Sequence, residues 1–191
     1  MRIASFMMLF LFLSCAVQAS ETGFKLGDRL QQGTAKPAGS FREINWDDLA
    51  PEDWDPLAGI KIDEIAKLQD GDPRADKLLK QMLDAWKKAP VVPALNKQRV
   101  RLAGFVVSLD PKPGQLREFL LVPYFGACIH SPPPPANQAI HVVMDKPFAG
   151  QMMEPFWISG ELSIARSDSP FGSAAYRMRG MQAQRYQAPG P

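Results

Sequence analysis

The chain has 191 residues, with 22 lysines and arginines against 20 aspartates and glutamates and a formal net charge of +2. Charges of both signs are interspersed, which leaves no basic footprint for nucleic acid or for an anionic membrane surface. The length suits one domain with a tail.

The first residues carry a positive start at Arg2, an apolar run from Ile3 to Leu13 and a small-residue ending, Ala16-Val17-Gln18-Ala19. This predicts a signal peptide over residues 1–19, cut after Ala19 and too short for a span of roughly 20 residues. The expected location is the periplasm. Lipid anchoring at Cys15 is the lesser alternative, because Phe12-Leu13-Ser14 fits a lipidation site only at Ser14. Nothing after residue 20 is long and apolar enough to cross a bilayer. Cleavage removes Cys15 and leaves Cys128 as the one cysteine of the mature chain. A lone thiol in an oxidising compartment is expected to be buried, paired with another molecule, or bound to something.

Residues 20–40, polar and punctuated by glycine, read as a flexible leader, and residues 41–191 as a single domain. Within FREINWDDLAPEDWDP the apolar Ile44, Trp46, Leu49 and Trp54 lie among acids, which reads as an extended segment whose aromatics pack on the domain while the acids stay wet, or as a docking peptide. A helical part is predicted over about 60–90. Ile62, Ile65 and Leu68 mark a short first helix. In a second, Asp72 caps, Pro73 opens the helix, and Leu78, Leu79, Met82, Leu83 and Trp86 form an apolar stripe expected to pack into the core.

A β part is predicted over about 97–187, with strands at 99–109, 118–125, 139–145, 156–166 and 175–186 between connections rich in proline and glycine. Gly104 interrupts the first where strands bulge or bend. The expected class is mainly β with flanking helices (α+β): a small five-stranded OB-like barrel preceded by a helical segment, with an open α+β sheet as the alternative.

The segment PYFGACIHSPPPPANQAIHVVM, 123–144, holds Cys128 and both histidines, His130 and His141. In an extended backbone residues two apart share a face, so Cys128 and His130 could chelate one ion, with His141 returning beside them across the stiff arch Pro132 to Pro135. A thiolate with two imidazoles suits zinc. Met144 as a further ligand would give the set copper character. Two other readings stay open: a small buried cysteine with ordinary strand histidines, and Cys128 as a nucleophile with a histidine base, for which Asn137 and Asp145 are the nearby orienting groups. The same loop could instead dock a protein through Tyr124, Phe125, Pro132, Pro133, Pro134, Pro135, Asn137 and Gln138, because rigid proline and exposed aromatics offer contact area at low entropy. Met144, Met152, Met153, Met178 and Met181 lack a clean repeat, Glu118, Asp145, Glu154 and Glu161 form no spaced pair, and GxSxG, HExxH, CxxCH and phosphate-binding glycine loops are missing.

INWDDLAPEDWDP, RVRLAGFVVSLD, FLLVPYFGACIHSPPPPANQ and a late W-x-S-G-x-L at 157–162 together resemble the DUF3299 family of bacterial envelope proteins. The family's characteristic segment maps onto Gly126, Cys128, His130, Pro132 to Pro135, Asn137 and Gln138, with His141 just beyond it. The resemblance implies a secreted or lipoprotein-like protein whose gene neighbours encode an ABC-type ATPase and permease, in some bacteria within zinc-responsive clusters. The resulting expectation is a periplasmic metal-handling accessory, with zinc ahead of copper, that works with an ABC-type transporter rather than as an enzyme. Its alternatives are a docking module for an envelope permease, using loop 123–138, and, third, a thiol-dependent enzyme.

Overall fold

An unbroken buried run, Val100 to Val107, organises the fold, because a strand covered on both faces must be apolar at nearly every position. In the computed structural model, which describes residues 23–30, 40–59 and 72–188, six strands and one α-helix follow in chain order. They are β1 (Arg42–Glu43), α1 (Pro73–Lys87), β2 (Gln98–Ser108), β3 (Gln115–Val122), β4 (Ile140–Ala149), β5 (Pro155–Ser169) and β6 (Gly172–Arg185).

Strand β2 pairs antiparallel with β3, and β3 with β4; β4 runs parallel to β6, β6 antiparallel to β5, and β5 returns to β2. The five predicted strands thus form an OB-like ring. The sixth, β1, adds parallel to β2 at Val100 and Arg101 and is too short to carry any period in the sequence. Strand β3 stops at Val122 because Pro123 has no N–H for the ladder.

Alternation along β2 divides the core. Val100, Leu102 and Val106 pack with Trp46, Leu121, Ile158 and Tyr176 in one cluster, while Ala103, Phe105 and Val107 join Leu120, Val122 and Trp157 in the other. The second cluster is covered partly by residues expected within the leader: Leu30 is buried, and Phe24 meets the Phe105 ring edge-on at 5.2 Å.

The register against β5 runs unbroken through Gly104, so the bulge expected there is not made; the glycine leaves room instead. A Cβ there would lie 2.7 Å from Leu121 Cγ, 2.9 Å from the Trp46 ring and 2.9 Å from the Val122 carbonyl. Gly104→Val is therefore expected to lower stability by about 1–3 kcal/mol through overpacking, read from the midpoint of urea unfolding. An unchanged midpoint would contradict that packing.

Helix α1 begins as predicted. Pro73 takes the first position, and the Asp72 side chain accepts from the Arg74 N–H at 2.9 Å. Its stripe does not enter the core, however. No residue of α1 is buried, and Leu79 is 43 % exposed. The predicted first helix, around 62–68, lies outside the described residues, as does the predicted signal peptide. No helix among the described residues is long and apolar enough to cross a membrane.

Side chains clamp the N-terminal segments to the ring. The Tyr176 hydroxyl donates to the Leu49 carbonyl at 2.8 Å and accepts from the Val92 N–H at 2.7 Å. Arg166 donates to the carbonyls of Lys87 and Ala89.

Candidate functional site

The 123–138 segment leaves β3 as a series of turns rather than as an extended strand. Gly126 has φ +84° and Cys128 φ +67°, and the His130 N–H returns to the Gly126 carbonyl at 2.9 Å. Left-handed backbone at a cysteine is uncommon and persists only where its surroundings impose it. The turn removes the shared face on which chelation by Cys128 and His130 was expected. Cys128 packs against the apolar cluster of Phe105 and Ala174, where burial pushes its thiol up to about 12, while His130 is exposed.

The other two expected ligands sit on β4. The His141 side chain is 12 % exposed, and a carboxylate can only accept, so its Nε2–H donates to Glu118 Oε1 at 2.8 Å. In the neutral ring Nδ1 then accepts from the Ser167 hydroxyl at 3.0 Å. Met144 lies three residues on, among the ring-interior residues Ile140 and Val142. Cys128, His130, His141 and Met144 thus occupy separate surroundings. Among the described residues no group of three or more His, Cys, Asp or Glu could hold a metal ion.

The proline arch is anchored rather than free, which corrects the expectation of four prolines on one docking surface. Pro132 is exposed, and its carbonyl accepts from the Tyr124 hydroxyl at 3.3 Å. Pro133 is half-buried and closes over the β5–β6 turn: a Cβ added at Gly172 would lie 2.7 Å from Pro133 Cβ, so contact with this glycine holds the ring in place. Pro134 and Asn137 are buried; Asn137 Nδ2 donates to the Pro90 carbonyl at 2.9 Å, and Gln138 Nε2 to that of Trp46 at 2.8 Å. Phe125, also expected on the docking surface, packs against Phe24 and Phe105. What stays accessible is one flank, where Tyr124, Pro135 and Gln138 border a groove of about 830 Å³. Trp54 and Trp86 form its other walls, and the Trp86 indole N–H donates to the Pro56 carbonyl at 2.7 Å. Asp47, Asp48 and Glu52, all exposed, line it too, against a single cation among the described lining residues, Arg29. The sequence pattern assigns Trp54 to packing on the domain and Trp86 to a core stripe; the acids beside Trp54 are the signal that points to the groove.

A second cleft, of about 970 Å³, lies over β3 and β4 between the β2–β3 loop and the β5–β6 turn, with Glu118 and His141 in its lining. Sequence spacing leaves Glu118 a scattered carboxylate and gives Ser167 no signal at all. Both follow register shifts, at Leu116/Glu118 and at Ile164/Ser167, and such irregularities re-aim side chains.

Comparison with known proteins agrees with the resemblance noted from the sequence. The family model DUF3299, described as a protein of unknown function, matches residues 46–185. A solved crystal structure of a DUF3299 family protein from Pseudomonas aeruginosa PAO1 is similar, with 34 % identity and a TM-score of 0.61; the match covers 80 % of this chain and 100 % of that one. No curated protein matches the chain.

Proposed function

The chain belongs to the DUF3299 family, and from that premise we propose that it is a docking module of the cell envelope rather than an enzyme, holding a cationic, proline-containing segment of a partner protein. The observation that carries this reading is the groove in which Trp54, Trp86 and Tyr124 meet Asp47, Asp48 and Glu52. Aromatic walls accept the preformed, low-entropy polyproline helix, and arginine or lysine on such a segment can lie over the rings while pairing with the acids. Export by the signal peptide would place the module in the periplasm. An ABC-type permease or another envelope protein is the proposed partner. Zinc handling through Cys128, His130 and His141 has no comparable geometric support, because those side chains lie in different surroundings.

The test is a tryptophan-fluorescence titration with a short arginine–proline peptide and its glutamate–proline counterpart. The basic peptide is expected to bind and to weaken as salt rises, while the acidic one does not. Replacing the three acids together, D47N/D48N/E52Q, should cost about tenfold in affinity, since exposed ion pairs contribute about 0.2–1 kcal/mol each. Equal binding of both peptides, or an unaffected triple variant, would sink the proposal.

A further inference from the structure

The cleft over β3 and β4 is a separate feature from the groove, and no residue lines both. We infer that this cleft is a binding site for a neutral or amine-bearing oligosaccharide.

Position narrows the ligand to two classes. The cleft lies across two neighbouring strands of the ring, bordered by Leu109, Asp110, Pro111, Pro113 and Gly114 on one side and by Ser169, Pro170 and Phe171 on the other. In small OB-like folds the corresponding strand face and its flanking loops bind oligonucleotides or oligosaccharides.

Charge then separates the two. Asp110, Glu118 and Asp168 line the cleft, and its described lining contains no lysine or arginine. Asp110 is held by the backbone N–H groups of Arg117 and Glu118 at 2.6 and 2.9 Å, so its charge has no cation among these hydrogen-bond partners. Asp168 is paired with Lys87 at 3.2 Å, both side chains being largely exposed. A phosphodiester chain would bring its charges against carboxylates and meet no counter-charge in the lining, whereas nucleic-acid sites depend on lysine and arginine. Hydroxyl and ammonium groups are donors, which is what carboxylates accept.

The walls fit the rest of a sugar. Leu109, Pro111, Pro113, Met152 and Phe171 supply apolar surface, and Met152 is 44 % exposed. Such surface can cover the C–H faces of a pyranose while a few polar groups fix its orientation. Glu118 is the principal polar anchor. His141 holds one of its oxygens at 2.8 Å, Ser167 holds the opposite ring nitrogen at 3.0 Å, and the Glu118 side chain remains 47 % exposed, leaving its second oxygen to accept from a ligand. The Ser167–His141–Glu118 chain therefore sets an acceptor in place before the ligand arrives, which lowers the entropy cost of binding.

Saturation-transfer NMR and calorimetry on the full mature chain test this, with a glucosamine trimer, an N-acetylglucosamine trimer and a short oligothymidylate as probes. At least one trimer is expected to bind and the oligothymidylate not to bind. Glu118→Gln, which keeps the shape, and Phe171→Ala, which removes part of the wall, should each weaken the trimer about tenfold with the far-UV circular dichroism unchanged. The inference is overturned if neither trimer binds at millimolar concentration, if both variants bind as the wild type does, or if the oligothymidylate binds more tightly than either trimer.

Discussion

Trp46→Ala is expected to destabilise the protein by about 3–5 kcal/mol, the range for removing a large aromatic side chain from a packed interior. Trp46 is 5 % exposed, its indole N–H donates to the Ala103 carbonyl at 2.8 Å, and its ring lies over the space left by Gly104. Alanine would open a cavity against β2 and leave that buried carbonyl without its donor, two losses that add. The backbone is engaged as well, since the Trp46 carbonyl accepts from Gln138 Nε2 at 2.8 Å. Asp47 and Asp48 follow directly and line the groove, so the residue that seats the N-terminal segment also places two of the acids proposed to receive a cationic partner. Urea unfolding should show a lower midpoint at an unchanged slope. A loss below about 1 kcal/mol would mean that Trp46 does not wedge the segment against β2.

How much of this is legible beforehand depends on how local each signal is. The five long strands are legible because alternation and proline-glycine punctuation are properties of neighbouring residues. The start of α1 is legible for the same reason, in Asp72-Pro73. Strand β1 is not, since Arg42 and Glu43 pair with Val100 and Arg101 far along the chain. The stripe Leu78 to Trp86 has helical spacing, but spacing says only which face is apolar, not how deeply it is buried.

The site shows the same division. The 123–138 segment stands out by composition, yet the chelating geometry expected of it requires an extended backbone, and the left-handed turn at Cys128 is set by its packing rather than by a glycine at that position. Composition likewise marks the proline arch as stiff without saying which rings face outward; the seat of Pro133 depends on Gly172, almost forty residues on. The groove joins Trp54, Trp86 and Tyr124, three residues that no short window contains. Glu118, His141 and Ser167 come from three strands, two of them aimed by register shifts that leave no mark in the sequence.

Cys128 carries the other large expected effect. Its thiol is raised by burial from the ordinary 9.0 to about 12. The thiolate is the species that alkylates, and near neutral pH a thiol raised that far holds about a thousandth of the thiolate of an ordinary cysteine. Labelling by iodoacetamide in the folded protein should therefore be slower than in the same protein unfolded in denaturant by up to about a thousandfold, the greater nucleophilicity of a more basic thiolate offsetting part of that ratio. This is also how a lone thiol would withstand an oxidising compartment, by staying protonated and packed. The sign for stability follows. The folded state keeps the proton that the unfolded chain releases above about pH 9, so the thiol's contribution is complete below that value and declines as pH rises toward 12. Cys128→Ala should remove this part of the alkaline loss while leaving a small cavity beside the apolar cluster of Phe105 and Ala174. Labelling of the folded protein as fast as in denaturant would show the thiol ionised and exposed, and would return Cys128 to the roles of ligand or nucleophile that its burial opposes.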